Sequence, residues 1–218
     1  MLFANFKQRL NMKYFTLIIA FLLFSCGKKE DVLLPKSNVT IVKNVEDHSP
    51  IYIFFKTVGK DTIADVNRKN SIISTNWILN IDKRLPLKLV IPQVIKLQEK
   101  KRADDAHKNE NAENYYSYAD SVGKNMAFLP FTKVYYKTEK PKSEGLTLFF
   151  KKNQTVEVNQ QVLKKEELLN YIASLDFAVK PKIQFCFDKN MSFDVYIQDK
   201  ILFQKLESFA EVTEEYIY

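Results

Sequence analysis

Apolar and polar positions alternate with a period of two in two stretches that echo each other. Ile-Tyr-Ile-Phe-Phe-Lys at 51–56, followed by Thr-Ile-Ala-Asp-Val-Asn at 62–67, is matched by Leu-Thr-Leu-Phe-Phe-Lys at 146–151 and Thr-Val-Glu-Val-Asn at 155–159. Each pair reads as a β-hairpin around a polar turn, Gly59-Lys60-Asp61 in the first and Lys152-Asn153-Gln154 in the second. After the second hairpin the period changes. Leu168, Tyr171, Ile172 and Leu175 recur at spacings of three and four, which places one apolar stripe on a helix. Pro181 bars its continuation, 183–187 alternates as a strand, Ser192 can cap a last helix carrying Val195, Leu202, Leu206 and Phe209, and 215–218 closes as a strand.

The earlier half follows a similar order. Trp77, Ile78 and Ile81 fit helical spacing, so a helix is expected over 76–85. Leu87, Val90, Ile91, Val94 and Ile95 fit one as well, but Pro92 falls among them, and an interior proline costs about 3 kcal/mol. A strand to Ile91 and a helix from Pro92 to Arg102 are therefore expected. A polar loop follows over 103–114, and a strand interrupted by Pro130 over 126–136. The expected class is α+β: two small lobes, each a β-hairpin followed by helix and strand units, arranged as a tandem pseudo-repeat. The expected boundaries are 1–25 for a leader, 26–49 for a tether, 50–140 for an N-terminal lobe and 141–218 for a C-terminal lobe, the lobes meeting near 137–145.

The leader is the clearest segment. Residues 14–24 are nearly all apolar and follow Lys13. Eleven residues at about 1.5 Å each cannot cross a hydrocarbon core of about 30 Å, so the run is a signal-peptide core rather than a membrane span. It ends at Ser25-Cys26, where the chain turns abruptly charged as Gly27-Lys28-Lys29-Glu30-Asp31. Leu23-Phe24-Ser25-Cys26-Gly27 resembles the lipobox of bacterial lipoproteins, although Phe24 is bulkier than the residue most often found there. The resemblance implies cleavage before Cys26, acylation of its thiol and attachment to a bacterial membrane. The outer membrane is expected, and the side it faces is left open. The charged residues after Cys26 also resemble the signals that send some lipoproteins to the cell surface.

Composition changes the picture in two ways. The 17 Phe and 11 Tyr support a packed globular body. The net charge of +7 falls to +4 once Lys7, Arg9 and Lys13 leave with the leader, and Lys and Glu are interspersed afterwards. That is no nucleic-acid footprint.

Candidates for chemistry are few. His48 sits in the turn-forming Asp47-His48-Ser49-Pro50, and His107 in the polar loop; neither belongs to a cluster with metal-ligand spacing. Four glycines form no phosphate-binding loop. Asp104-Asp105 and Glu166-Glu167 suit solvent and a helix start, Asp188 suits a turn, and Cys186, left alone once Cys26 is acylated, reads as a packed thiol. No catalytic, cofactor or metal residue is picked out. Tyr115, Tyr116 and Tyr118, with Tyr135 and Tyr136, are candidate ligand-contact aromatics, able to stack on a sugar or peptide or to pack a sheet face.

Residues 185–207, FCFDKNMSFDVYIQDKILFQKLE, resemble the periplasmic domain of the ExbD/TolR biopolymer-transport family, where a strand ending in a polar residue leads through a short turn into an amphipathic helix. That family carries an N-terminal transmembrane helix with a proton-handling Asp, which this chain lacks, so the resemblance implies the envelope scaffold without the motor. Two functions are weighed: a lipid-anchored envelope protein that binds a protein, peptide or glycan, and an envelope hydrolase with a carboxylate-based site.

Overall fold

The computed structural model describes residues 31–103, 109–142, 145–175, 182–207 and 214–218. The leader, Cys26, Asp104-Asp105, His107, Pro181 and Phe209 lie outside them. No described helix is long and apolar enough to cross a membrane. The body from Val32 to Tyr218 is an α+β fold of two lobes, each built on a six-stranded sheet.

In the first lobe, β2 (His48–Val58) and β3 (Asp61–Asn67) form the expected hairpin. Gly59 takes a φ of 63° at the first position of the two-residue loop, a conformation glycine adopts without a Cβ clash. Then come β4 (Asn76–Ile81), α1 (Leu87–Ala103), β5 (Asn114–Asp120) and β6 (Asn125–Pro130). The sheet order is β1-β5-β4-β2-β3, with β1 (Lys36–Ser37) and with β6 also paired to β5. In the second lobe, β8 (Leu146–Phe150) and β9 (Thr155–Val158) form the other hairpin. β10 (Gln161–Lys164), α2 (Lys165–Ser174), β11 (Ile183–Phe187), α3 (Phe193–Glu207) and β12 (Glu214–Ile217) follow. The order is β10-β9-β8-β11-β12-β7, so β7 (Tyr135–Lys137), which precedes the expected lobe boundary, belongs to the second sheet.

Three expected elements differ. The one strand expected over 126–136 is two, because a turn closed by Val134 N–H on Phe131 O follows Pro130 and sends β6 and β7 to different sheets. Residues 76–81 are a strand, not a helix. β4 lies between two parallel neighbours, β2 and β5, and a strand covered on both faces loses the alternation that would have marked it. Residues 87–103 are one helix, with no strand before Pro92. The carbonyl that Pro92 leaves without a helical donor is that of exposed Lys88, which solvent can reach.

The echo of the two Phe-Phe-Lys strands is topological. β2 and β8 each lie between an antiparallel hairpin partner and a parallel strand that leads into a helix and then another parallel strand: β3-β2-β4-β5 in one lobe, β9-β8-β11-β12 in the other. The turns into those helices match residue for residue. Arg84 N–H donates to Asp82 Oδ1 at 3.0 Å and Leu85 N–H to the Asp82 carbonyl at 3.1 Å. Asn190 N–H and Met191 N–H do the same to Asp188 at 2.8 and 2.9 Å. The two turns also bond each other symmetrically. Leu87 N–H donates to Met191 O and Phe193 N–H to Leu85 O, at 2.9 and 2.8 Å, around a bridge between Pro86 and Ser192. Equivalent residues exchanging equivalent bonds define a local pseudo-twofold axis. One hydrophobic core runs through both lobes, from Ile51, Trp77 and Val94 to Leu148, Phe187 and Tyr196.

Candidate functional site

In the second sheet, alternation decides which side chains see solvent. Leu148, Phe150, Phe185, Phe187 and Ile217 point into the core, so Phe149, Cys186 and Tyr216 take the outer face. The parallel register sets Phe149 beside Cys186 and Cys186 beside Tyr216, making one row across three strands. The Tyr218 ring stacks on Phe149 at 5.0 Å with 7° between the planes. Phe149, Tyr216 and Tyr218 are half-exposed, whereas Cys186 is buried. Burial pushes its thiol up to about 12, against a smaller opposing contribution from Tyr218, so it is neither a nucleophile nor a metal ligand at neutral pH.

Charges frame the row. Tyr216 donates to Glu214 Oε2 at 2.8 Å, Lys137 lies 3.9 Å from Glu214, Lys151 pairs with Glu157 at 2.6 Å, and the Lys140 ammonium lies 5.6 Å from the Tyr218 ring centre. Burial and the Glu214 bond hold the Tyr216 hydroxyl at about 12, and burial does the same for Tyr218. The face thus offers aromatic rings, neutral hydroxyls able to accept, and flanking charges: equipment for stacking and hydrogen bonding rather than proton transfer at neutral pH.

The expected aromatic group is divided between core and surface. Tyr116 and Tyr118 are fully buried. Tyr116 stacks on Phe131 at 3.8 Å, and Tyr118 donates to Val39 O at 2.9 Å while accepting from Ile41 N–H at 3.0 Å. Tyr115 turns the other way, half-buried, with its hydroxyl on Glu113 Oε2 at 2.6 Å. Tyr135 is exposed beneath the Arg102 guanidinium at 4.0 Å, and Tyr136 is buried. Only Tyr115 and Tyr135 of the five are therefore open to a ligand. His48 hydrogen-bonds the Val45 carbonyl through Nδ1 at 2.8 Å.

Two clusters of buried ionisable side chains involve the second lobe. Tyr116, Tyr136 and Tyr196 join by hydroxyl contacts of 2.7 and 3.2 Å, and Tyr196 donates to Glu215 Oε2 at 2.6 Å. Lys200 pairs with the other oxygen of Glu215, so the chain runs from the first sheet into an ion pair in the second lobe. Burial raises all three tyrosines well above their ordinary range. Asp199 pairs through Oδ1 with Lys165, and its Oδ2 has no hydrogen-bond partner among the described residues. Burial outweighs that pairing and holds the carboxyl up at about 6. At 1% and 0% exposure, Asp199 and Glu215 cannot touch a substrate.

A cleft of about 120 Å³ lies beside Lys101, Arg102, Asn114 and Thr132. Burial lowers Lys101 to about 8, but its ammonium already donates to Thr75 O at 2.9 Å, Asn114 Oδ1 at 3.0 Å and Glu113 O at 3.4 Å, which leaves no donor for a ligand. Among the described residues no group of three or more His, Cys, Asp or Glu is placed to hold a metal. Comparison with protein-family models, with curated proteins and with solved structures finds no match.

Sequence reasoning missed the row of Phe149, Tyr216 and Tyr218. The signal was present as alternation in the Phe-Cys-Phe and Tyr-Ile-Tyr strands, but it becomes a surface only when register places them side by side.

Proposed function

We propose that the chain is a lipid-anchored protein of the bacterial cell envelope, held to a membrane through acyl chains on Cys26, and that its body acts by binding rather than catalysis. The anchor rests on the apolar run that stops at Ser25-Cys26 and on its resemblance to a lipobox. The binding role rests on one observation above all: the half-exposed row of Phe149, Tyr216 and Tyr218, framed by Lys and Glu, in a lobe whose buried carboxylates Asp199 and Glu215 are out of a substrate's reach. An envelope protein, peptide or glycan suits such a face. The resemblance of residues 185–207 to the ExbD/TolR periplasmic domain supports an envelope scaffold.

A photocrosslinking residue in place of Tyr216 in living cells is expected to capture one reproducible envelope partner, and the same residue at Asn111 is not. Absence of any adduct, together with turnover of a glycoside, ester or peptide that disappears when one carboxylate is replaced by its amide, would establish the hydrolase instead.

A further inference from the structure

A lipid on Cys26 would leave the body little slack, because residues 33–42 of the expected tether are bonded to the body. Leu33 N–H donates to Asp82 Oδ2 at 3.3 Å and Leu33 O accepts from Lys83 N–H at 2.8 Å. Beyond it, Pro35 O accepts from Ala119 at 2.8 Å, Lys36 N–H donates to Asp194 Oδ1 at 3.1 Å, Thr40 bonds Asp120 at 2.6 Å, and Val42 exchanges two bonds with Phe128. The length of chain from Cys26 to Leu33 therefore limits how far the body can stand from the anchor. Seven residues, fully extended at about 3.4 Å each, reach about 24 Å. A body of this size is roughly 40 Å across. Its far side cannot reach the bilayer, and the surface around Leu33 must stay near it.

That surface is built at the pseudo-twofold axis, where the backbone bonds described above lock the two equivalent turns together. Lys88 N–H also donates to Lys189 O at 2.8 Å, and Asp194 N–H to Lys83 O at 3.1 Å. Lys36, Lys88 and Lys189 are exposed and Lys83 is half-buried. None of these four ammonium groups is in an ion pair among the described residues. Of the carboxylates nearby only Asp82 is paired with a cation among the described residues, and the four lysines outnumber Asp188 and Asp194, so the face is net positive. Asp82 is buried and held bidentately by Arg84 at 2.8 and 2.7 Å, and Asp188 accepts the Asn190 N–H. Asp194 accepts Lys36 N–H and the Gln198 side chain, and a Tyr218 main-chain oxygen accepts Lys189 N–H. Leu33 and Val39, 46% and 50% exposed, add apolar edges to the same face.

We propose that this face, carrying Lys36, Lys83, Lys88 and Lys189 around Leu33, rests on the anionic phosphate headgroups of the membrane that holds Cys26. The inference rests on the acylation proposed above. It gives the molecule an orientation: both helix-entry turns face the lipid, and Asn111, at the end of the first sheet where β4 begins rather than where it ends at Asp82, points away. Lysines near an anionic surface add attraction that decays within a Debye length, so contact should depend on salt and on lipid charge.

The test uses the full acylated protein in phosphatidylcholine vesicles containing phosphatidylglycerol and a headgroup-labelled nitroxide lipid. A fluorophore is placed through Lys88→Cys or Asn111→Cys; Cys186 is buried and will not react. Flotation with the vesicles and the mass of the acylated Cys26 peptide read the anchor by itself. The expected result is flotation of both labelled proteins, with quenching severalfold stronger at 88 than at 111, weakened by Lys83→Glu with Lys189→Glu and by leaving out phosphatidylglycerol. Flotation with equal quenching at the two positions, or with quenching at 88 indifferent to the charge reversals, overturns the orientation while leaving the anchor intact. Failure to float removes the anchor, and the orientation with it.

Discussion

Glu215 sits at 0% exposure between the Lys200 ammonium and the Tyr196 hydroxyl, and the tyrosine chain carries that contact to Tyr116 in the other sheet. Burying an ion pair adds little net stability, but removing one partner strands the other. Glu215→Gln should therefore cost about 3–5 kcal/mol, read as a shift in the urea midpoint. Tyr116→Phe, which removes one hydroxyl and leaves Tyr136 bonded to Tyr196, should cost only about 1 kcal/mol. Asp199 acts in the opposite sense. Its folded carboxyl titrates near 6 against a usual 3.8, so between those values the folded state binds more protons than the unfolded one. Stability then falls as pH rises through that window, and above it the ionised, half-satisfied carboxylate is a standing cost. Asp199→Asn should flatten the pH dependence between about 4 and 6 and raise stability at pH 7 by roughly 1–3 kcal/mol, checked by unfolding across that range. An unchanged slope would remove Asp199 as its source.

Among the elements, those with one solvent face were legible and those buried on both faces were not. The hairpins, α2 and the capped start of α3 carried visible periods; Val195 N–H reaches the Ser192 hydroxyl at 3.4 Å. β4, with five of its six positions buried, offered Trp77, Ile78 and Ile81 to either period, and only its parallel neighbours make it a strand. At Pro92 local propensity argues for a break in α1, and packing overrides it. Leu87, Val90, Ile91, Val94 and Leu97 all reach the core, and their burial outweighs one lost backbone bond. Pro92→Ala should restore that bond and raise stability by about 1–2 kcal/mol after the unfolded chain regains its freedom, seen as a higher thermal midpoint. A lower midpoint would mean that the proline ring itself is needed for packing. The aromatic tyrosines show the same limit at the candidate site: sequence marked the residue type, but the strand's facing sent Tyr116 and Tyr118 inward and left Phe149, Tyr216 and Tyr218 outside.

For the whole molecule, the pseudo-twofold axis explains why two lobes share one core. Equivalent turns bond each other, so neither lobe's helix entrance is complete alone. The symmetry makes a residue-level forecast. Because Pro86 already occupies the position equivalent to Ser192, Ser192→Pro should cost only the Val195 cap, about 1 kcal/mol, while Phe193→Pro, which deletes the N–H donated to Leu85 O and the buried ring against Tyr116 and Tyr196, should cost about 3 kcal/mol or more. Equal losses from the two would argue against the equivalence.

The same axis lies beside Leu33, and the proposed anchor and orientation both depend on one link, the thioether proposed at Cys26. Metabolic labelling with a clickable fatty acid tests that link most directly. The wild-type chain should take up label in the membrane fraction, and Cys26→Ala should take up none while accumulating with its leader uncleaved. Equal labelling of both chains, or no labelling of the wild type, would contradict the account.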